Sequence, residues 1–324
     1  MNVAGVTWSF PWSLAIAIVS IIFIIALFGL IYGANCLFLF AMSRNGVPKK
    51  VLKEDAKNNG WQKYMPLIEE GSRWFMEKQP TPMELISEDG LHLKGYLLTR
   101  EDAKRTVICV HGFHGAGIKD FGAIAKFYYE HQCNVLLFDQ RAHGESQGRF
   151  ICYGVKERYD LLGWIRKVNE TVGPDLPIYL DGVSMGGATV LMATELELPS
   201  NVVGIVADCG FTSPHDIFVH ILKNNVRIPK YPILFFANII CRIRAGVWFK
   251  EADTLRALQK NEIPVLFIHG DIDDFVPTEM TEQNYEACKG KKELVLVEGA
   301  GHALSYYTDQ EGVKQKIMEF MQMD

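Results

Sequence analysis

The first 43 residues contain no Asp, Glu, Lys, Arg or His. That absence excludes an ordinary water-soluble N-terminal domain, whose elements keep a charged face toward solvent. Beyond it charge is plentiful but mixed, with 33 Lys and Arg against 38 Asp and Glu and no block of one sign. A protein that holds nucleic acid by its phosphates carries a basic patch or stripe, so no nucleic-acid partner is expected. The seven cysteines are scattered and form no CxxC pair. A zinc ribbon and a disulfide framework therefore lack their carriers. HExxH, the P-loop and a GxGxxG after a first strand are absent as well. Zinc-protease, nucleotide-hydrolysing and dinucleotide chemistry have no seat, and neither a cofactor nor a metal is expected. Internal repeats and low-complexity segments are also missing, which excludes a solenoid or propeller.

What is present begins with an apolar run from Leu14 to Met42. It exceeds the roughly 20 helical residues that span a bilayer core about 30 Å thick, and predicts a transmembrane helix able to tilt or reach the interface. Trp8 and Trp12 stand where an aromatic belt would sit. A cleaved signal peptide fits badly: the run is too long and no Lys or Arg precedes it. Arg44, Lys49, Lys50, Lys53 and Lys57 follow the run. The positive-inside rule then sets the large C-terminal part in the cytoplasm, giving a single-pass protein of the cell membrane. Cys109 and Cys209, inside apolar strands, agree with a reducing compartment.

Three regions follow from the pattern. Residues 1–43 read as the anchor. Residues 44–82, charged with interspersed aromatics, read as an amphipathic helical segment lying on the membrane or against the protein body. Residues 83–324 read as a catalytic domain. In it a hairpin (83–87 and 91–99, around Glu88-Asp89-Gly90) precedes short apolar runs at 106–112, 134–139, 178–184, 202–208, 264–270 and 293–299. Candidate helices lie near 118–131, 154–170, 185–197, 278–289 and 310–322. Continuous apolar strands alternating with helices predict an α/β fold with a mostly parallel sheet covered on both faces. The stretch between 208 and 264 is longer than one crossover helix needs. Apolar and punctuated by prolines, it reads as a helical cap insert at about 211–260.

The chemistry concentrates at strand ends. Gly182-Val183-Ser184-Met185-Gly186 closes one strand and opens a helix. In that context G-x-S-x-G forms a nucleophile elbow, with the serine exposed above the sheet and helix N–H groups free for developing negative charge. A serine hydroxyl needs a base, and this architecture orders the partners Ser, then Asp or Glu, then His. His302, in a Gly-flanked loop after the last strand, is the candidate base. His92, His131 and His220 fall on hairpin, helix or cap surfaces. For the acid, Asp271, Asp273 and Asp274 compete after strand 264–270, with Asp208 a weaker fourth candidate. Two N–H donors should form the oxyanion hole. Met185 supplies one as the residue after the serine; Phe113, in the loop His111-Gly112-Phe113-His114-Gly115, supplies the other. Asp139, Arg141 and His143, in the loop after strand 134–139, are expected to brace that loop rather than to react.

With HGFHG (111–115), FDQRAHGES (138–146), DGVSMGG (181–187), HGDIDDFVP (269–277) and GAGHA (299–303), residues 83–324 resemble the α/β-hydrolase superfamily. They are most similar to bacterial membrane-anchored serine hydrolases related to the prolyl-oligopeptidase-like and serine-aminopeptidase-like branches. In the family pattern the acid stands three residues before a valine, which implies Asp273 before Val276. The resemblance also implies oxyanion donors at Phe113 and Met185. The expected function is hydrolysis of a small-molecule acyl ester or lipid by an acyl-enzyme mechanism on Ser184, Asp273 and His302. The rivals are a serine peptidase cleaving short peptides and a non-catalytic membrane-tethered binding protein on a hydrolase scaffold. Such a scaffold usually lacks a triad member, and here all three are present.

Overall fold

The computed structural model of the chain describes residues 12–48, 50 and 60–323. Trp8, Lys49, Lys53, Lys57 and the rest of the stretch 51–59 lie outside the described residues. The charge-free run forms α1, Trp12–Met42, of 31 residues. It is long and apolar enough to cross a membrane. At about 1.5 Å per residue it is about 46 Å long, well over the roughly 30 Å of a hydrocarbon core. From Trp12 to Tyr32 its large side chains are mostly exposed, whereas Ala34, Phe38 and Met42 are buried. Those three stand four residues apart, on one helix face.

A 3₁₀ turn at Trp61–Tyr64 leads into α2, Met65–Glu77. This helix packs on α3, Gly117–Glu130. Their backbones approach so closely at Gly71 that an added Cβ would stand 2.4 Å from the backbone of Ala123. The helical part of the 44–82 segment therefore lies on the protein body.

The strands are β1 (Thr81–Ile86), β2 (His92–Leu98), β3 (Arg105–Val110), β4 (Cys133–Phe138), β5 (Ile178–Val183), β6 (Val202–Asp208), β7 (Val265–Gly270) and β8 (Lys292–Val297). They form one sheet in the order β1-β2-β4-β3-β5-β6-β7-β8. β2 pairs antiparallel with β1 and β4; all other neighbours are parallel. Strands β3, β4 and β7 are buried along nearly their whole length, which is why they read as unbroken apolar runs. On one face lie Leu161 and Trp164 of α4 (Glu157–Val172) and Leu191 of α5 (Met185–Ala193). On the other lie Phe121 and Tyr128 of α3 and Ile317 of the C-terminal helix.

The insert between β6 and β7 contains α6 (Pro214–Ile221), a π-helical turn (Leu222–Val226) and α7 (Ile233–Ala245). A third apolar cluster joins this insert to α1: Phe38 and Met42 of α1 meet Phe218 of α6, Leu234 and Cys241 of α7, and Met185 beside the elbow. Polar ties fix the same junction. Arg244 donates to Asn35 Oδ1 at 2.7 Å, Tyr153 Oη to the Ala41 carbonyl at 2.9 Å, and Ile151 N–H to the Met42 carbonyl at 2.7 Å. The Arg44 guanidinium donates to the carbonyls of Gly144 and Ser146.

Candidate active site

β5 ends in a turn that only small neighbours permit. Ser184 has φ 55° and ψ −116°, a conformation that residues with a side chain rarely adopt. A Cβ on Gly186 would stand 1.8 Å from the Val110 carbonyl oxygen, and one on Gly182 would stand 2.4 Å from that of Gly186. The backbone can close only with glycine at both places. Ser184 is the N-cap of α5 and Met185 its first residue, so the Met185 N–H belongs to the first turn and has no intrahelical partner.

The loop after β8 brings His302 to the serine. Ser184 Oγ lies 2.8 Å from His302 Nε2, and His302 Nδ1 lies 2.7 Å from Asp273 Oδ2. The other Asp273 oxygen accepts the N–H groups of Phe275 at 3.0 Å and Val276 at 2.9 Å. Burial opposes the charge on Asp273, but the imidazoles of His302 and His269 outweigh it and hold the carboxyl well below its usual range. An ionised Asp273 accepts Nδ1–H and leaves Nε2 as the atom that faces the hydroxyl.

The competing acids are engaged elsewhere. Asp271 accepts the Gly299 N–H at 2.7 Å, and Asp274 is exposed. Asp208 accepts the Ser305 hydroxyl at 2.9 Å, and burial raises its pKa to about 6. Of the other histidines, His92 pairs with Glu84, His131 with the Phe127 carbonyl and His220 with Asn224.

Sequence reasoning gave His269 no role of its own, because it ends a buried apolar strand. Its Nε2 lies 3.1 Å from Asp273 Oδ2 and 2.9 Å from the Val276 carbonyl, while Nδ1 meets Thr281 Oγ1 at 2.6 Å. Burial disfavours its charge, but Asp273 and then Asp208 overcome that and raise its pKa. The signal was the motif position four residues before Asp273.

The loop 111–115 faces the elbow. A Cβ on Gly112 would stand 3.4 Å from the Ser184 Cβ. Gly112 N–H donates to Asp120 at 3.1 Å, Gln140 N–H to His111 Nε2 at 2.9 Å, and His114 N–H to His143 Nε2 at 3.1 Å. Burial pushes the His143 pKa well down, which keeps that nitrogen a neutral acceptor. Asp139 accepts Gly117 N–H at 2.9 Å and Glu145 N–H at 2.8 Å, and Arg141 bridges Asp89 and Asp160. The 139–146 loop thus ties down the stretch that holds Phe113.

A cavity of about 490 Å³ contains Ser184 and His302 and is mainly apolar. Its walls include Phe113, Phe218 and Leu234, and also Leu37, Phe38 and Ala41 of α1. Among the described residues, one set of metal-type donors converges here: Cys209, Asp273 and His302 lie within 4.8 Å of one another. Burial raises the Cys209 pKa far above that of an ordinary thiol, away from the thiolate a metal would take. Asp273 and His302 are already bonded to each other.

A parallel sheet with a serine on a strained turn, faced by a histidine and a buried aspartate, defines the hydrolase class of α/β proteins. The model described as "alpha/beta hydrolase fold" matches residues 105–235, and that described as "TAP-like protein" matches residues 245–323. The chain belongs to the α/β-hydrolase superfamily. It is 29% identical over 247 residues to the uncharacterised protein YqkD of Bacillus subtilis (strain 168), covering 76% of this chain and 81% of that one. It is 25% identical to protein bem46 of Schizosaccharomyces pombe, over 66% of this chain and 69% of the relative. Among solved structures, the Pyrococcus furiosus esterase Pf2001 superposes with a TM-score of 0.61 at 22% identity, covering 76% of this chain and 92% of the esterase. At such identity the likeness establishes the fold.

Proposed function

We propose that the protein is a membrane-anchored serine hydrolase that cleaves carboxylic esters of lipid-like acyl groups. The observation that carries this reading is the Ser184–His302–Asp273 chain of hydrogen bonds opening into an apolar cavity. His302 Nε2 takes the Ser184 proton as Oγ attacks the ester carbonyl carbon. Asp273 holds the ring by Nδ1 and balances the imidazolium that forms. The Met185 and Phe113 N–H groups receive the oxyanion. The imidazolium returns its proton to the leaving alcohol as the C–O bond breaks, leaving an acyl-serine. Water, deprotonated by His302, then attacks that ester, frees the acid and restores the hydroxyl. The apolar lining favours an acyl chain over a peptide, whose charged terminus would need a polar partner.

Hydrolysis of p-nitrophenyl esters from acetate to palmitate tests this, with the detergent-solubilised protein beside Ser184→Ala. We expect wild-type turnover and a loss on the order of 10⁴-fold in the variant. Equal rates in the two proteins would sink the serine mechanism.

The same reading sets the enzyme body on the cytoplasmic side of the cell membrane, supported by the cationic residues just after α1. In sealed right-side-out membrane vesicles, external protease should leave residues 83–324 intact. Their digestion would reverse the orientation.

A further inference from the structure

The exposed part of α1, Trp12 to Tyr32, is about 31 Å long at 1.5 Å per residue, the thickness of a hydrocarbon core. The remaining turns leave that layer and become wall: Leu37, Phe38 and Ala41 line the cavity that holds Ser184. The cap lies against the same helix, with Ile233 of α7 3.8 Å from where a Gly33 Cβ would be. The guanidinium of Arg244 lies over the Phe38 ring at 5.1 Å. Around α7 the outward side chains are apolar: Tyr231, Phe235, Ile243 and Trp248 are all exposed. They are interspersed with Lys223, Arg227, Lys230, Arg242, Arg244 and Lys250, and no Asp or Glu occurs from 217 to 250. Apolar side chains set among cations, beside a helix leaving the bilayer, suit the headgroup layer of an anionic leaflet.

We infer that the anchor is part of the substrate site: its last turns and the cap form an acyl-chain channel, and a membrane lipid ester enters it from the leaflet. This rests on the serine-hydrolase reading above and names its substrate class, a long-chain acyl ester already in the membrane. The carbonyl stops at Ser184 while the chain runs back along the Leu37–Ala41 face.

The experiment uses the full chain reconstituted in phosphatidylcholine–phosphatidylglycerol vesicles. Ala41→Trp narrows the channel and Leu37→Ala removes a chain contact. We expect Ala41→Trp to lower kcat/KM for the palmitoyl ester roughly ten-fold more than for the acetyl ester. Leu37→Ala should raise KM for palmitate several-fold more than for acetate. Labelling of Ser184 by a small fluorophosphonate identifies folded protein in both. A long-chain ester dissolved in the enzyme's own vesicles should be hydrolysed much faster than the same ester held in enzyme-free vesicles. Unchanged chain-length ratios in folded variants, or equal rates from the two vesicle pools, would overturn the inference and leave the serine mechanism standing. A wild type that hydrolyses no ester and takes no label removes both, and that is seen before any channel variant is made.

Discussion

Oδ2 of Asp273 receives two imidazoles, His302 at 2.7 Å and His269 at 3.1 Å. The first faces the serine; the second is wholly buried and does not line the cavity that holds Ser184. His269 acts through the carboxylate: with the Phe275 and Val276 N–H groups it fixes the plane in which Asp273 meets His302. In the acyl-transfer reading it is a positioning residue. Replacing it by Phe removes one donor and leaves a carboxylate freer to rotate. We expect His269→Phe to lower kcat about ten-fold with KM little changed, since the lost alignment is felt where the imidazolium forms. His269→Gln, which keeps a donor near the same place, should recover most of that loss. Steady-state kinetics on one short ester decides it. A variant that melts earlier but keeps its kcat would reduce His269 to a packing residue.

At the scale of elements, what the sequence discloses depends on contrast. Strands β3 to β8 stand out because short apolar runs alternate with amphipathic helices, and the elbow stands out because glycines bracket one serine. The hairpin was legible from its turn residues. The dual nature of α1 was not. Ala34, Phe38 and Met42 form a stripe at helical spacing, but the stripe lies in a helix apolar on every side, so no polar face reveals which residues pack on the protein and which stay exposed. The placement of α2 was open for a related reason: an amphipathic face fits a bilayer surface and a protein surface equally, and the close approach of Gly71 to Ala123 is long-range. Asp271, Asp273 and Asp274 share one tight loop, where spacing cannot separate them. Their side chains diverge to Gly299, His302 and solvent only once β8 has delivered the second loop. His269 was passed over because a histidine within an apolar strand reads as core; only its place four residues before Asp273 marked it, and its partner is set by the turn that follows.

Across the whole molecule, two carboxyls sit unused behind the elbow. Asp181 is buried on β5 and accepts the Tyr128 hydroxyl at 2.6 Å; Asp208 ends β6 beside Val183 of β5. Burial raises their pKa values to about 7 and about 6; the Asp208 charge adds to the rise at Asp181, and the Asp273 charge adds to that at Asp208. The unfolded chain releases these protons near pH 4, while the folded chain holds them until pH 6–7. Between those limits the native state binds more protons than the unfolded one. Their stabilising contribution is therefore complete below about pH 4, declines as pH rises, and is gone above about pH 7. Asp181→Asn tests the sign, because the amide keeps an acceptor for Tyr128 and imitates the neutral acid at every pH. Thermal unfolding in detergent should give nearly equal Tm values for variant and wild type at pH 4.5. At pH 8 the variant should be the more stable, by about 1–2 °C for each kcal/mol of removed charge burial. A variant equally destabilised at both pH values would mean that Asp181 contributes through a bond the amide cannot make. Its proton would then not govern the pH dependence of this fold.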